Sequence, residues 1–459
     1  MTVTVVLTEP VEAALRGMLD EEQETAAVLL THVVEGDDGS RRLLACDVEP
    51  VPGDAYVVRT HRQLVITSGG YVPALGRAER EGFTPLWLHT HPGDGASPQP
   101  SDLDEVVDDD LAEVFRIRSG SEIFGSLVLA SERSRLRFTG RLVEGDKTVS
   151  VDQLLCVGSR IALTRSDGAV GPPLDLAFDR NVRAFGDEIQ RVLGAIRVGI
   201  VGCGGTGSAI AEQLVRLGVR HMTLIDPDRL SASNVTRVYG STPPAVGCPK
   251  VDVLADHLRA IAPDAELTAI ASSVLVEDVA RRLATVDLIF GCTDDNAGRL
   301  VLSRISTYLL VPVIDCGVLL SDHAGQLQGI YGRVTVLHPG AACLVCRDRI
   351  DLQRAAAEAL DPEERLRRTD EGYAPALPGV EPAVIAYTTL VAAYAVGELL
   401  ERLIGYGPLP RPTEVVVRIH DREVSTNEQA PREHHYCHPA SGKLGRGVTA
   451  PFLEQTWAS

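Results

Sequence analysis

Two clusters of residues in this 459-residue chain have the types and spacing that catalysis requires. The first is His89-Thr-His91-Pro, followed by Ser101 and Asp104. Two histidines one residue apart on a strand project to the same side, because side chains alternate along a strand. One carboxylate completes three zinc ligands, which leaves the fourth position open for water. The cluster predicts a hydrolytic metal site held by the two histidines and one carboxylate.

The second cluster is a glycine-rich loop after the apolar run Arg197–Val201. It comprises Gly202, Gly204, Gly205 and Gly207. Glycines in a strand-to-helix turn let backbone N–H groups approach a phosphate closely. Asp226, at the end of the next apolar run, is expected to hydrogen-bond ribose hydroxyls. The loop therefore predicts a nucleotide site.

Polar residues downstream indicate which nucleotide chemistry this is. They are Asp228, Asn234, Arg237, Lys250 and Asp294. Cations near the phosphates would stabilise the charge that builds up on the α-phosphate as pyrophosphate leaves, and an aspartate would hold Mg²⁺. Hydride transfer needs no such set, so the pattern favours adenylation.

The first cluster resembles the JAMM (JAB1/MPN) metalloprotease motif over about residues 1–150. The resemblance implies zinc bound by His89, His91 and Asp104, with Glu24 as general base and Ser101 steadying the oxyanion. It also implies cleavage of ubiquitin or ubiquitin-like tails. The family usually has seven residues between the second histidine and the serine, whereas this chain has nine, which makes the neighbouring Asp102 a rival of Asp104 as the third ligand. A copy that binds but does not cleave is the alternative.

The second cluster resembles the ThiF/MoeB and ubiquitin-activating family over about residues 178–440. That family runs D-x-D, S-N-x-x-R, K and C-T-D-N-x-x-x-R in this order. The resemblance implies that the glycine loop cradles ATP and Asp226 binds ribose. It further implies that Asn234, Arg237 and Lys250 engage phosphates and that Asp294 binds Mg²⁺. Arg180 is the candidate for an arginine supplied across a homodimer.

A cysteine pair predicts a second, structural zinc ion. Cys343 and Cys346 provide two ligands, and a zinc site needs two more. Many members of the resembled family have another CxxC near the C-terminus, and here His434-x-x-Cys437 keeps that spacing. His435 or His438 could replace His434, and buried thiols without metal are the alternative.

Some ubiquitin-activating enzymes carry a catalytic cysteine on a crossover loop, which should correspond to about residues 350–381 here. That stretch contains no cysteine, and Cys248 and Cys316 are weak substitutes. We expect the chain to stop at the acyl-adenylate or to hand it to an external thiol or sulfur donor.

The elements that position these residues change along the chain. Strand-like runs such as Val3–Leu7 alternate with helical ones in the first third, whereas short apolar strands and helices alternate regularly from about residue 178, as in a doubly wound parallel sheet. We expect an α/β protein with an N-terminal JAMM/MPN-like α+β (deaminase-like) domain and a Rossmann-like ThiF domain. The expected segments are a domain at 1–165, a linker at 166–177, a domain at 178–430 and a tail at 431–459.

Bulk properties exclude several classes. A net charge of −19 argues against a nucleic-acid partner. The nine cysteines are mostly scattered, so a disulfide framework is not expected. The N-terminus has no signal-peptide pattern, and the apolar run 382–400 contains polar residues, so we expect a buried helix, no membrane partner and a cytoplasmic location.

Together the resemblances imply ATP-dependent adenylation of a ubiquitin-like or sulfur-carrier protein with a Gly-Gly tail, coupled to zinc-dependent trimming or deconjugation of that tail. The expected cofactors are ATP, Mg²⁺, one catalytic Zn²⁺ and one structural Zn²⁺. A conjugating enzyme or a sulfur donor would be a further partner. The alternative is activation of a small molecule or peptide in natural-product biosynthesis, with an inactive JAMM domain.

Overall fold

The computed structural model divides into two compact units. The first comprises Met1–Gly171 with Gly445–Gly447, and the second Pro172–Leu444 with Val448–Ser459. The structure describes residues 2–93, 98–132, 135–166, 174–323, 326–370 and 383–457. The predicted linker at 166–177 lies largely outside these ranges.

The first unit is built on a mixed nine-stranded sheet with helices on both faces. Its elements are β1 (Val3–Thr8), α1 (Glu9–Leu19), β2 (Ala26–Glu35), β3 (Arg41–Pro50), β4 (Tyr56–Arg59), β5 (Leu64–Ile66), α2 (Val72–Glu81), β6 (Thr84–Thr90), α3 (Asp102–Ser119), β7 (Ile123–Glu132), β8 (Arg135–Glu144), β9 (Lys147–Ser150), β10 (Gln153–Val157) and β11 (Ile161–Arg165). The strand order is β11-β10-β1-β3-β2-β6-β7-β8-β9, and β4 and β5 form a separate hairpin.

Two hydrophobic clusters fix this layering. Val11 and Leu15 of α1 pack with Leu7 of β1 in one cluster. On the other face, residues of α2 and α3 such as Leu75 and Phe115 pack with a cluster drawn from β2 and β6. Because both faces are covered, all six residues of β1 are buried, which explains its continuous apolar run.

The second unit contains an eight-stranded sheet whose order is β14-β13-β12-β15-β16-β17-β18-β19. Its elements are α4 (Asp179–Ala195), β12 (Arg197–Val201), α5 (Gly205–Leu217), β13 (His221–Ile225), α6 (Lys250–Ile261), β14 (Glu266–Ile270), α7 (Glu277–Arg281), β15 (Leu288–Gly291), α8 (Asn296–Tyr308), β16 (Val313–His323), β17 (Gln326–Leu337), α9 (Leu352–Glu358), α10 (Pro362–Asp370), α11 (Ile385–Ile404), β18 (Glu414–Arg418) and β19 (Glu423–Asn427).

The sheet of the second unit is only half parallel. Strands β14, β13, β12, β15 and β16 pair in parallel, as the sequence predicts. From β16 to β19 the pairing is antiparallel, which the alternation of strands and helices does not predict. The carboxyl ends of the parallel strands share one edge, where α5 and α8 begin.

The apolar run 382–400 forms most of α11, which buries residues such as Val391, Ala395 and Leu399. The predicted buried helix is therefore confirmed. In the part of the chain that the structure describes, no helix combines the length and apolarity needed to cross a membrane.

Candidate active sites and metal centre

The two histidines of the first cluster converge on one carboxylate in the first unit. His89 lies at the end of β6 and His91 follows it, and their Nε2 atoms are 3.0 Å apart. Asp104, in the first turn of α3, places Oδ1 3.5 Å from His89 Nε2 and Oδ2 3.5 Å from His91 Nε2. The three ligand atoms lie within 4.8 Å of one another, so they fit a single metal ion. Asp102 is exposed and lies outside this group.

The electrostatics of Asp104 favour the charged form that a metal requires. Burial raises the pKa of this carboxyl, but hydrogen bonds to His89 and His91 outweigh burial and hold the pKa well below its usual range. An ionised carboxylate beside two imidazoles is a donor set typical of catalytic zinc.

Ser101 has a structural role in this position. It caps the N-terminus of α3, and its hydroxyl lies 2.8 Å from Asp104 Oδ2. The Ser101 N–H also donates to Asp104 Oδ2 at 2.7 Å. This capping box fixes the orientation of Asp104. The Asp104 carboxylate therefore belongs both to the helix cap and to the group that faces the histidines.

Glu24 is held beside the histidines by its neighbour in the chain. Thr25 N–H donates to Thr90 Oγ1 at 3.0 Å, and Thr90 N–H donates to Thr25 O at 2.8 Å. Thr90 separates His89 from His91, so this pairing fixes the backbone beside Glu24 relative to the two histidines. Glu24 and the three ligand residues line one cavity of about 700 Å³.

The glycine loop of the second unit connects β12 to α5 and requires two of its glycines. Gly202 has φ +92°, and a Cβ there would approach the carbonyl of Cys292. A Cβ on Gly207 would clash with the carbonyl oxygen of Gly202. The loop therefore folds back against the end of β15. Gly204 and Gly205, at the start of α5, line a second cavity of about 700 Å³. We call it the nucleotide cavity, after the site that the sequence predicts.

Asp226 anchors this cavity from the end of β13. Its Oδ2 accepts the N–H of Cys203 at 2.7 Å, and its Oδ1 accepts the N–H of Asp228 at 2.8 Å. Burial raises the pKa of Asp226. Lys250 Nζ lies 2.7 Å from Asp228 Oδ2 and 3.7 Å from Asp226 Oδ1, which places a cation next to the predicted ribose contact.

The cavity brings together most, but not all, of the residues predicted to handle the nucleotide. Arg237, Lys250 and exposed Asp294 line it together with the glycine loop. Asn234 is buried in a turn, where its Oδ1 accepts the N–H of Ser231 at 3.1 Å. Arg180 is exposed on α4. Neither residue is among the described residues that line this cavity.

Sequence reasoning missed three arginines in the cavity wall. Arg333 on β17 contacts Asp315 at 2.6 Å, and Arg349 contacts Glu414 at 2.9 Å. Arg354 on α9 is the third. Isolated arginines with no fixed spacing carry no motif, so only the placement of the antiparallel strands and α9 assigns them to this cavity.

Three cysteines and a histidine form a compact centre in the second unit. Cys346 Sγ lies 3.6 Å from Cys437 Sγ, and His435 Nδ1 lies 3.6 Å from Cys343 Sγ and 3.2 Å from Cys437 Sγ. A zinc tetrahedron with 2.3 Å bonds to sulfur has edges of about 3.8 Å. The hydrogen bond between Cys437 and Cys343 lowers the pKa of Cys343 to about 5, as suits a thiolate ligand.

The prediction that His434 supplies the fourth ligand is corrected. His434 is exposed and has φ +59°, while the ring of His435 faces the thiols. The His-x-x-Cys spacing does not identify the correct one of these two adjacent histidines, because the backbone conformation decides which ring faces the thiols.

Two cysteines beside the glycine loop, Cys292 and Cys203, are not prepared as nucleophiles. Contact with Cys316 and burial raise the pKa of Cys292 well above its usual range, and burial does the same for the pKa of Cys203. Cys248 is exposed and is not among the described lining residues. The end of the predicted crossover stretch, 371–382, lies outside the described residues.

The ThiF family model matches residues 178–438, which is more than half of the chain and includes the whole nucleotide cavity. The chain belongs to the ThiF family. The match covers the second unit from α4 to the Cys/His centre, so we refer to this unit as the ThiF unit. The chain is thus an enzyme of the E1-like adenylyltransferase type.

Curated relatives agree with this placement. The chain is 31% identical over 179 residues to molybdopterin-synthase adenylyltransferase of Escherichia coli, covering 38% of this chain and 68% of that protein. It is 29% identical over 224 residues to ubiquitin-like modifier-activating enzyme 5 of Drosophila ananassae, covering 46% and 51%. The solved structure of E. coli MccB with ATP aligns with TM-score 0.44 and 17% identity over 56% of this chain and 73% of that chain.

Proposed function

We propose that the ThiF unit adenylates the C-terminal carboxylate of a ubiquitin-like or sulfur-carrier protein with a Gly-Gly tail. The observation that carries this proposal is the single cavity that joins the glycine loop, Asp226, Lys250 and Asp294. The names of the relatives support the substrate class, because one is an adenylyltransferase of molybdopterin synthase and the other activates a ubiquitin-like modifier.

In this mechanism the N–H groups at the start of α5 face the phosphates of ATP. A carboxylate oxygen of the partner attacks the α-phosphorus, and the bond from the α-phosphorus to the bridging oxygen breaks. Pyrophosphate departs, and the product is an acyl-adenylate. Lys250 and Arg237 stabilise the charge that develops. A Mg²⁺ ion held by Asp294 would neutralise phosphate charge. Arg180, which is not among the described lining residues of its own cavity, would act in the cavity of a second copy in a homodimer.

We propose further that the first unit trims or deconjugates the tail of the same protein. The donor set His89, His91 and Asp104 fits zinc, which lowers the pKa of a bound water towards about 7. Glu24 would accept a proton from water as the water oxygen attacks the carbonyl carbon of the terminal glycine, and would pass that proton to the amine as the C–N bond breaks. The products are the exposed glycine carboxylate and the released tail. Both units would then act on one Gly-Gly terminus.

Partner-dependent ATP–pyrophosphate exchange tests the adenylation proposal. Within a panel of ubiquitin-like and sulfur-carrier proteins that end in Gly-Gly, at least one should stimulate exchange, and Asp294→Asn should abolish that stimulation. If peptides or small molecules stimulate exchange and no ubiquitin-like protein does, the proposed substrate class is wrong. The enzyme would then activate a peptide or a small molecule.

A tail-extended form of the same partner tests the protease proposal. Intact protein should release the extension, Glu24→Gln should not, and a chelator should abolish release. Failure of zinc-loaded protein to cleave would reduce the first unit to a binding role.

A further inference from the structure

Helix α9 supplies a carboxylate to the start of α8, the helix that follows Asp294. Glu358 Oε2 accepts hydrogen bonds from the N–H of Asn296 at 2.6 Å and of Ala297 at 2.9 Å. These are the first two residues of α8, where N–H groups have no partner within the helix and carry the positive end of its dipole. A carboxylate from another element therefore fixes the beginning of α8.

The contact between α9 and α8 is reciprocal and buried. Asn296 Oδ1 accepts the N–H of Asp351 at 3.0 Å, and the Asn296 side-chain amide reaches Glu358 Oε1 at 3.4 Å. The Glu358 side chain is only 8% exposed, and Arg354 Nε pairs with its Oε1 at 2.8 Å. Arg354 also lines the nucleotide cavity, so α9 contacts both the cavity and α8.

Asp294 lies between two anchored points. On its C-terminal side, Glu358 holds Asn296 and Ala297. Asp295 also caps α8 by accepting the N–H of Gly298, and it contacts the Thr293 hydroxyl on the other side of Asp294. The backbone of Asp294 is thereby constrained. Its carboxylate is exposed at the cavity that the glycine loop lines. Carboxylate oxygen is the donor that Mg²⁺ prefers alongside phosphates, so the residue fits that ion.

We propose that Glu358 is a positioning residue that orients Asp294 toward the metal ion of bound nucleotide. The inference rests on the proposed function only for the identity of that ion and nucleotide. Through Glu358, the segment that follows the cysteine pair would control metal affinity in the cavity.

Manganese binding with ATP, measured by electron paramagnetic resonance, gives a readout that needs no partner protein. Glu358→Ala should weaken Mn²⁺ affinity in the ATP complex by about fivefold, because two charge-assisted hydrogen bonds are lost. Glu358→Gln keeps an acceptor oxygen and should recover much of that affinity, and it also serves if the alanine variant fails to fold. Glu364→Gln is the control, because Glu364 also pairs with an arginine of its own helix at i, i+4 spacing, Arg368 on α10, although in the reverse order.

Hydrogen exchange of the peptide 292–300 should rise in Glu358→Ala and stay unchanged in Glu364→Gln. Faster exchange with unchanged Mn²⁺ affinity would overturn the proposal, because Glu358 would then only stabilise α8. Unchanged values in both measurements would overturn it as well. If Glu358→Ala weakens Mn²⁺ binding while no ubiquitin-like protein is adenylated, the inference stands and the substrate class fails instead.

Discussion

At the scale of single residues, the proposed adenylation assigns the phosphates of ATP to a cation that is already held in place. Lys250 opens α6, is 9% exposed, and is paired with Asp228 and Asp226. Such pairing orients the ammonium group before ATP arrives, so little reorganisation is needed in the transition state. A neutral side chain at this position could not supply that positive charge.

Lys250→Met should therefore lower partner-dependent pyrophosphate exchange by about a hundredfold, the effect expected for loss of one preorganised charge. Lys443→Met is the control, because Lys443 forms an ion pair with Glu454 and is not among the described residues that line the cavity. Exchange reduced equally in both variants would contradict a specific role for Lys250.

Residue-level prediction from sequence succeeds where a motif fixes both type and spacing. The order and spacing of the glycine loop, Asp226, Lys250 and Asp294 predict one nucleotide site, and these residues meet in one cavity. Prediction fails for His434, because spacing alone does not determine which of two adjacent histidines faces the thiols. It also misses Arg333, whose partner Asp315 is close only across β16 and β17.

At the scale of elements, Gly204 and Gly207 differ in what they contribute to the loop between β12 and α5. Gly207 lacks room for a Cβ because of the Gly202 carbonyl, whereas a Cβ on Gly204 meets nothing within 4 Å. Gly204 also has an ordinary φ of −76°. Gly207 is therefore needed for the fold of the loop, and Gly204 only where a ligand approaches.

Gly207→Ala should lower the free energy of unfolding by about 1–3 kcal/mol through overpacking and should abolish ATP binding. Gly204→Ala should leave stability within about 0.5 kcal/mol of wild type, as for a surface change. Thermal unfolding and calorimetric ATP titration measure both effects. Equal stability of the two variants would refute this account of the loop.

Strand β2 gives the first unit a pH-dependent stability. Burial and the charge of Arg446 lower the pKa of His32 from 6.5 to about 4. The unfolded chain takes up this proton near pH 6.5, and the folded unit does so only near pH 4. The free energy of unfolding should therefore fall as the pH drops through this window.

His32→Gln should flatten that pH dependence, and His61→Gln, on the exposed hairpin, should not. Trp87 is buried in the first unit and the chain has two tryptophans, so its fluorescence in a Trp457→Phe background reports this unit. Parallel pH profiles for wild type and His32→Gln would contradict the assignment.

At the scale of the whole molecule, two units carry two distinct donor sets. The first offers His89, His91 and Asp104, and the second offers Cys343, Cys346, His435 and Cys437. Hydrophobic periodicity predicts the element types and the parallel half of the second sheet. It does not predict the antiparallel half, because there β17 follows β16 and β19 follows β18 along the chain, so the alternation of strands and helices ends.

Zinc content should reflect this division. Wild type should hold two zinc ions per chain, and Cys346→Ser and His91→Ala should each lose one, since each removes a ligand from a different set. Elemental analysis of dialysed protein measures this. Cys248→Ser, at an exposed thiol, should keep both ions. One ion in wild type that His91→Ala does not remove would show that the first donor set does not hold zinc.

The most direct test of the central claim is the intact mass of the Gly-Gly-tailed ubiquitin-like or sulfur-carrier protein that stimulates exchange, measured after incubation with this enzyme, ATP and Mg²⁺. The partner should gain one AMP on its terminal glycine, and Lys250→Met should prevent the gain. An unchanged partner mass, together with ATP-dependent modification of a peptide or small molecule instead, would contradict the account.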